Sequence, residues 1–122
     1  MEYTLLIYSN ELPDNETDPA ERAQMFGEYG RFTQELQDSG AMVGGRPLEP
    51  STTATTVQVR GGERLVTDGP YAETKEQLGG FYLVEAETLD DALDWAAKIP
   101  GARNGTIEVR PVMPIPQEAM QA

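Results

Sequence analysis

A chain of 122 residues, 39% apolar and 25% charged, is sized for one globular domain with a modest core, and it carries neither cysteine nor histidine. That removes disulfides, thiolate nucleophiles, imidazole acid–base chemistry and most zinc or iron sites. A net charge of −12 repels phosphate backbones and anionic lipid head groups, so neither nucleic acid nor a membrane is expected as a partner.

The first six core positions, Tyr3 to Tyr8, are apolar or aromatic at nearly every place, the pattern of a strand buried on both faces. Ser9 to Thr17 is polar and reads as loop. Its carboxylates Asp14, Glu16 and Asp18 alternate, but the run lacks the glycine and distal glutamate of a calcium loop. Asp18-Pro19-Ala20-Glu21 then starts a helix, with Asp18 as N-cap, Pro19 in the first turn and Glu21 placed for a capping box. Met25, Tyr29, Phe32 and Leu36 fall on one stripe of it. Gly30 inside the helix is expected to mark close packing, and Gly40 to end it.

Ala41 to Gly44 reads as a short strand before a break at Gly45-Arg46-Pro47. Thr53 to Arg60 alternates, and Gly61-Gly62 turns it into Glu63 to Thr67 as a hairpin. The threonines 52, 53, 55 and 56 reflect strand propensity rather than hydroxyl chemistry. After a turn at Asp68-Gly69-Pro70 comes a charged segment, then Leu78-Gly79-Gly80 and a doubly apolar strand, Phe81 to Ala86. Thr88 caps a second helix with Leu89, Ala92, Leu93 and Ala96 inward and Trp95 beside them. Thr106 to Arg110 is the last strand. The domain is placed at residues 1–112, with 113–122 a proline-rich tail that wanders over the surface or packs on a partner.

The order β–α–β–β(–β)–α–β is a split βαβ, ferredoxin-like α+β fold: an antiparallel sheet with two helices on one face. Two helices leave the other face bare, yet the first strand and the Phe81 strand are too apolar on both sides to meet water. A second copy of the sheet is the simplest cover, so a homodimer is expected. If Val57, Val59, Ile107 and Val109 meet the helices, then Arg60, Glu108 and Arg110 point between the sheets with Tyr8 and Tyr82. That space is either a ligand chamber or a salt-bridged seam.

Leu65 to Tyr82, which contains Asp68-Gly69-Pro70-Tyr71, closely resembles the YCII-related family in its DGPF branch, supported by Tyr3 to Tyr8 and Gly105 to Pro111. Tyr71 stands where the branch motif has phenylalanine. The resemblance implies a dimeric α+β barrel and, for this branch, a regulatory setting beside an extracytoplasmic-function sigma factor. The His–Asp pair proposed for the wider family has no counterpart in a chain without histidine.

Three readings follow. One is an accessory protein in a sigma-factor circuit, binding a protein or a small ligand. Another is a cofactor-free isomerase or lyase acting on a small polar molecule. In it Asp68, Tyr82 and Arg110 are the candidate catalytic groups, and Tyr8, Arg60, Glu73, Lys75 and Glu108 the candidate ligand contacts. The third is a purely structural dimer, in which Asp68-Gly69-Pro70 is only a turn. No cofactor or metal is implied. The Met1-Glu2-Tyr3 start lacks the basic flank of a signal peptide and no apolar run approaches roughly 20 residues, so the cytoplasm is the expected compartment.

Overall fold

A computed structural model describes residues 1–12 and 16–120; Asp14, in the alternating carboxylate run, lies outside them. Six strands and two helices follow one another as β1 (Glu2–Asn10), α1 (Pro19–Ser39), β2 (Met42–Pro47), β3 (Thr55–Arg60), β4 (Glu63–Asp68), β5 (Glu76–Glu85), α2 (Leu89–Lys98) and β6 (Thr106–Pro111). Four strands form an antiparallel sheet in the order β2-β5-β1-β6, and β3 and β4 form a separate two-stranded ribbon. Counted along the main sheet alone, this is the ferredoxin-like order. The longest helix is charged along its length, and no helix of the described residues is long and apolar enough to cross a membrane.

Both helices start where side-chain oxygens satisfy their first amides. Asp18 accepts from the Ala20 N–H at 3.0 Å, and Thr88 accepts from Asp91 at 3.1 Å. α1 ends at Gly40, whose left-handed backbone returns its N–H to the Gln37 carbonyl at 3.0 Å. The core is the odd face of β1 (Tyr3, Leu5, Ile7) packed on Phe32 and Leu36 of α1, Ala92 and Ala96 of α2, and Val84, Ala86 and Ile99. Met25 and Tyr29 continue the α1 stripe, half-buried. Ile107 and Val109 of β6 join the same face, as their alternation required.

Several expectations are corrected by this packing. In α2 the inward residues are Ala92, Trp95 and Ala96, with Ile99 buried just past its end, whereas Leu89 and Leu93 are 49% and 44% exposed. The small alanines bring the helix axis close to the sheet, and Trp95 fills the flank edge-on to Phe32, 6.2 Å between ring centroids. Gly30 is exposed and a Cβ there would meet nothing within 4 Å, so it marks no close contact.

The glycine read as a strand break, and the pair placed just before a strand, are strand residues. β2 runs through Gly45-Arg46-Pro47 and β5 begins at Glu76, taking in Leu78-Gly79-Gly80. A Cβ on Gly45 would stand 2.7 Å from the Phe81 carbonyl oxygen, and one on Gly80 3.0 Å from that of Arg46. Glycine here permits close approach of β2 to β5 rather than chain reversal. Gly61-Gly62 does serve as a turn, both residues left-handed as a two-residue hairpin demands.

The largest correction concerns β3. Val57 and Val59 do not meet the helices; they lie on the separate ribbon and are each 60% exposed. Tyr82 likewise does not face the bare side of the sheet. Register pairs Leu6 with Phe81 and Thr4 with Leu83, so Phe81 and Leu83 occupy the uncovered face and Tyr82 and Val84 the helix face. Tyr82 shares a 2.7 Å hydrogen bond with the Thr33 hydroxyl and packs edge-on to Phe32 at 5.1 Å.

Between α1 and the turn after α2, the Tyr29 hydroxyl accepts a hydrogen bond from the Gly101 N–H at 3.2 Å. Lys98 pairs with Glu35 at 2.7 Å and lies 5.1 Å over the Trp95 ring, and Arg103 pairs with Glu28. Burial raises the Tyr29 pKa above its ordinary value, opposed by the Gly101 amide. The folded protein therefore holds this phenol neutral after the unfolded chain has begun to ionise it. Its contribution to stability is complete below about pH 10 and falls away as pH rises through the higher folded value. We expect urea midpoints measured between pH 8 and 11 to fall more steeply for the native chain than for Tyr29→Phe. Parallel curves would show that the residue is not held neutral.

A polar cleft at the end of the sheet

The turn after β4 closes against the chain entering β3, where the Gly69 N–H donates to the Ala54 carbonyl at 2.7 Å. The loop that follows is folded by its own polar groups. Gln77 donates through Nε2 to the carbonyls of Ala72 at 3.0 Å and Thr74 at 2.9 Å, pinning both to the first turn of β5. On the other side Glu11, just past β1, reaches the 3-10 turn Ser51–Thr53, accepting from the Ser51 N–H at 2.8 Å and from the Ser51 hydroxyl. Glu76 accepts from the Thr106 hydroxyl at 2.9 Å, tying the start of β5 to the start of β6.

These ties leave an open cleft of about 590 Å³ between the strand ends. Asp68 comes into it from the end of β4, Glu73 and Lys75 from the β4–β5 loop, Asn10 and Glu11 from the end of β1, and Ser51 from the 3-10 turn. Three acidic residues and one lysine thus line it. Among the described residues Asp68, Glu73 and Lys75 make no side-chain hydrogen bond or ion pair, so all three are free to meet a ligand. No group of three or more carboxylates among the described residues is close enough to hold a metal ion.

Of the residues singled out in the sequence, then, Asp68, Glu73 and Lys75 share one site. The others do not join them. Glu108 and Arg110 form an ion pair on the bare face of the sheet, where register sets them beside Leu6 and Thr4. Tyr8 is half-buried on that face, opposite Thr106. Arg60 sits at the far end of the ribbon, its guanidinium on the Val59 carbonyl at 3.0 Å. Tyr82 lies on the helix side, so Asp68, Tyr82 and Arg110 are not gathered within one chain. Asp68 is exposed rather than enclosed.

Sequence reasoning missed Asn10, Glu11, Ser51 and Gln77. Glu11 and Ser51 stand 40 positions apart, and only the fold brings them together. Gln77 lay inside the recognised motif, and an amide three residues from a threonine in a glycine-flanked loop is the one local sign of its role.

A family model described as the YCII-related domain matches residues 1–116. An uncharacterized protein of Rhizobium meliloti (strain 1021), R00369, is 36% identical over 114 residues, covering 92% of each chain. Among solved structures, the 5-chloro-2-hydroxyhydroquinone dehydrochlorinase TftG from Burkholderia phenoliruptrix AC1100, in complex with 2,5-dihydroxybenzoquinone, aligns over 93% of this chain and 94% of its own, with a TM-score of 0.49 at 16% identity. Likeness at that level assigns no activity.

Because Glu11 bridges two walls of the cleft, Glu11→Ala should cost about 1.5–3 kcal/mol, the range for hydrogen bonds to a charged group. Urea titration reads that loss, and amide hydrogen exchange should show Ser51 losing protection. An unchanged Ser51 amide would mean the bridge does not hold the wall.

Proposed function

This chain belongs to the YCII-related family, and we propose that it is a small-molecule-binding protein that works as a homodimer and takes a polar ligand in the cleft beside Asp68. The observation that carries the reading is the convergence of Asp68, Glu73 and Lys75, unengaged by the protein itself, with Asn10 and Glu11 from a different strand. A cleft of about 590 Å³ lies within the range of small-ligand sites, which run from roughly 300 to 1,000 Å³. Its balance of three carboxylates to one lysine favours a ligand rich in hydrogen-bond donors or carrying positive charge, such as an amine or an amino sugar. An isomerase or lyase built on Asp68, Tyr82 and Arg110 draws no support from this geometry.

Dimerisation is supported by the bare sheet face. Leu6, Phe81 and Leu83 stand there half-buried with no helix over them, and fully burying a side chain of this kind is worth about 1.5–3 kcal/mol. A second copy offers the same apolar face in return.

A thermal-shift screen of polar amines and polyols, with each hit re-measured by calorimetry, tests the cleft. Asp68→Asn and Lys75→Met should each weaken a true ligand at least tenfold, with the fold unchanged by circular dichroism. Hits that bind both variants as tightly as the native chain would place binding elsewhere.

The regulatory half of the proposal is that the ligand state is read by an extracytoplasmic-function sigma factor, a context carried by the family resemblance alone. Co-purification of the tagged full chain from its native cell should recover such a factor. Recovery of the homodimer by itself under mild conditions would remove it.

A further inference from the structure

Of the three asparagines in the chain, only Asn104 is followed by glycine. In a flexible chain that pair is chemically fragile. The Gly105 nitrogen, once it gives up its proton, attacks the Asn104 side-chain carbonyl carbon, and glycine has no side chain to stand in the way. A new C–N bond forms, the side-chain amide leaves as ammonia, and water then opens the succinimide ring to aspartate or isoaspartate. No oxidant or cofactor enters the balance.

The fold holds the pair in a shape that does not react. Asn104 follows the 3-10 turn Pro100–Arg103 with φ −135° and ψ 1°. At that ψ the Gly105 nitrogen eclipses the Asn104 nitrogen and is turned away from the Asn104 side chain. Ring closure needs it swung round beside Cβ. The Gly105 N–H donates to the Gly101 carbonyl at 2.8 Å, and the Asn104 N–H donates to the same oxygen. Removing the Gly105 proton there would set a nitrogen anion against a carbonyl lone pair. Gly105 is also hemmed in: a Cβ on it would overlap the Tyr8 carbonyl oxygen and stand 3.0 Å from that of Gly101. Asn104 itself is exposed, so backbone geometry rather than access to water limits the reaction. The carbonyl that fixes this geometry is anchored in turn. Gly101 is buried and its N–H donates to the Tyr29 hydroxyl at 3.2 Å, while Arg103 ties the same turn to Glu28 of α1.

We propose that Asn104–Gly105 is a modification site held shut by the fold: Asn104 converts to aspartate and isoaspartate when the turn after α2 opens, and Tyr29 keeps that turn closed. Local openings of this kind cost less than unfolding the whole domain, so the site records them. Isoaspartate adds a carbon to the main chain where β6 begins opposite Tyr8, and a marked chain does not regain the tight start of that strand.

Full-length chains are held at neutral pH, folded and in urea, and peptide mapping by mass spectrometry follows the replacement of the Asn104 amide by a carboxyl. The folded chain should react at least tenfold more slowly than the chain in urea. Tyr29→Phe, with its fold unchanged by circular dichroism, should react at least threefold faster than the native fold. Val84→Ala truncates the core opposite Tyr3, at the other end of the sheet, and should leave the rate within twofold. Equal rates folded and in urea would overturn the guarded site, and no conversion in either state would remove it altogether. An unchanged rate in Tyr29→Phe, or equal acceleration by Val84→Ala, would overturn the role of Tyr29. Refolded chains carrying isoaspartate, scored by isoaspartyl methylation, should show a lower urea midpoint than unmarked ones, and equal midpoints would overturn the effect on β6.

Discussion

A four-stranded sheet has two faces, and this chain provides helices for one. Everything about the molecule turns on that imbalance. α1 and α2 close over Tyr3, Leu5, Ile7 and Val84, and this side is a buried apolar core. The opposite side carries Leu6, Phe81 and Leu83 among Thr4, Tyr8 and the Glu108–Arg110 pair, a surface too apolar for water and too polar for a dry interior. Left half in water, such side chains forfeit stabilisation on the order of 1 kcal/mol or more each. In a domain whose total margin is about 5–15 kcal/mol, that is a considerable share.

The cleft obeys a different logic. It sits on loops at one end of the sheet, where backbone groups are tied by side chains rather than by strand ladders. Glu11, Gln77 and Glu76 spend their polar atoms holding the walls, and Asp68, Glu73 and Lys75 are left without partners. This division between groups that build a site and groups that remain available is what distinguishes the cleft from an ordinary solvated charge run. A run of charges facing only water has no supporting ring of hydrogen bonds behind it.

Much of the architecture was legible in the residues. Helix starts at Asp18 and Thr88, the stop at Gly40 and the turn at Gly61-Gly62 are set by local chemistry, and each was placed correctly. The two-sided apolarity of β1 and β5 was equally plain, because a period of two shows directly in the sequence. The errors arose where one residue type serves two purposes. Gly45 looked like a break and Gly80 was placed just outside its strand, yet both let two strands approach. Leu89 and Leu93 looked like core, yet alanines took the inward positions of α2.

Sequence alone determined the kind and order of the elements, the absence of thiol and imidazole chemistry, and the family motif around Asp68. Tertiary structure decided which strands share a sheet, on which side Tyr82 lies, and that Glu11 meets Ser51 across 40 residues. The reason is the range of the forces involved. Caps, turns and periodicity act within a few residues, whereas sheet membership and register are settled between distant segments, and a shift of one residue sends every side chain of a strand to the other face.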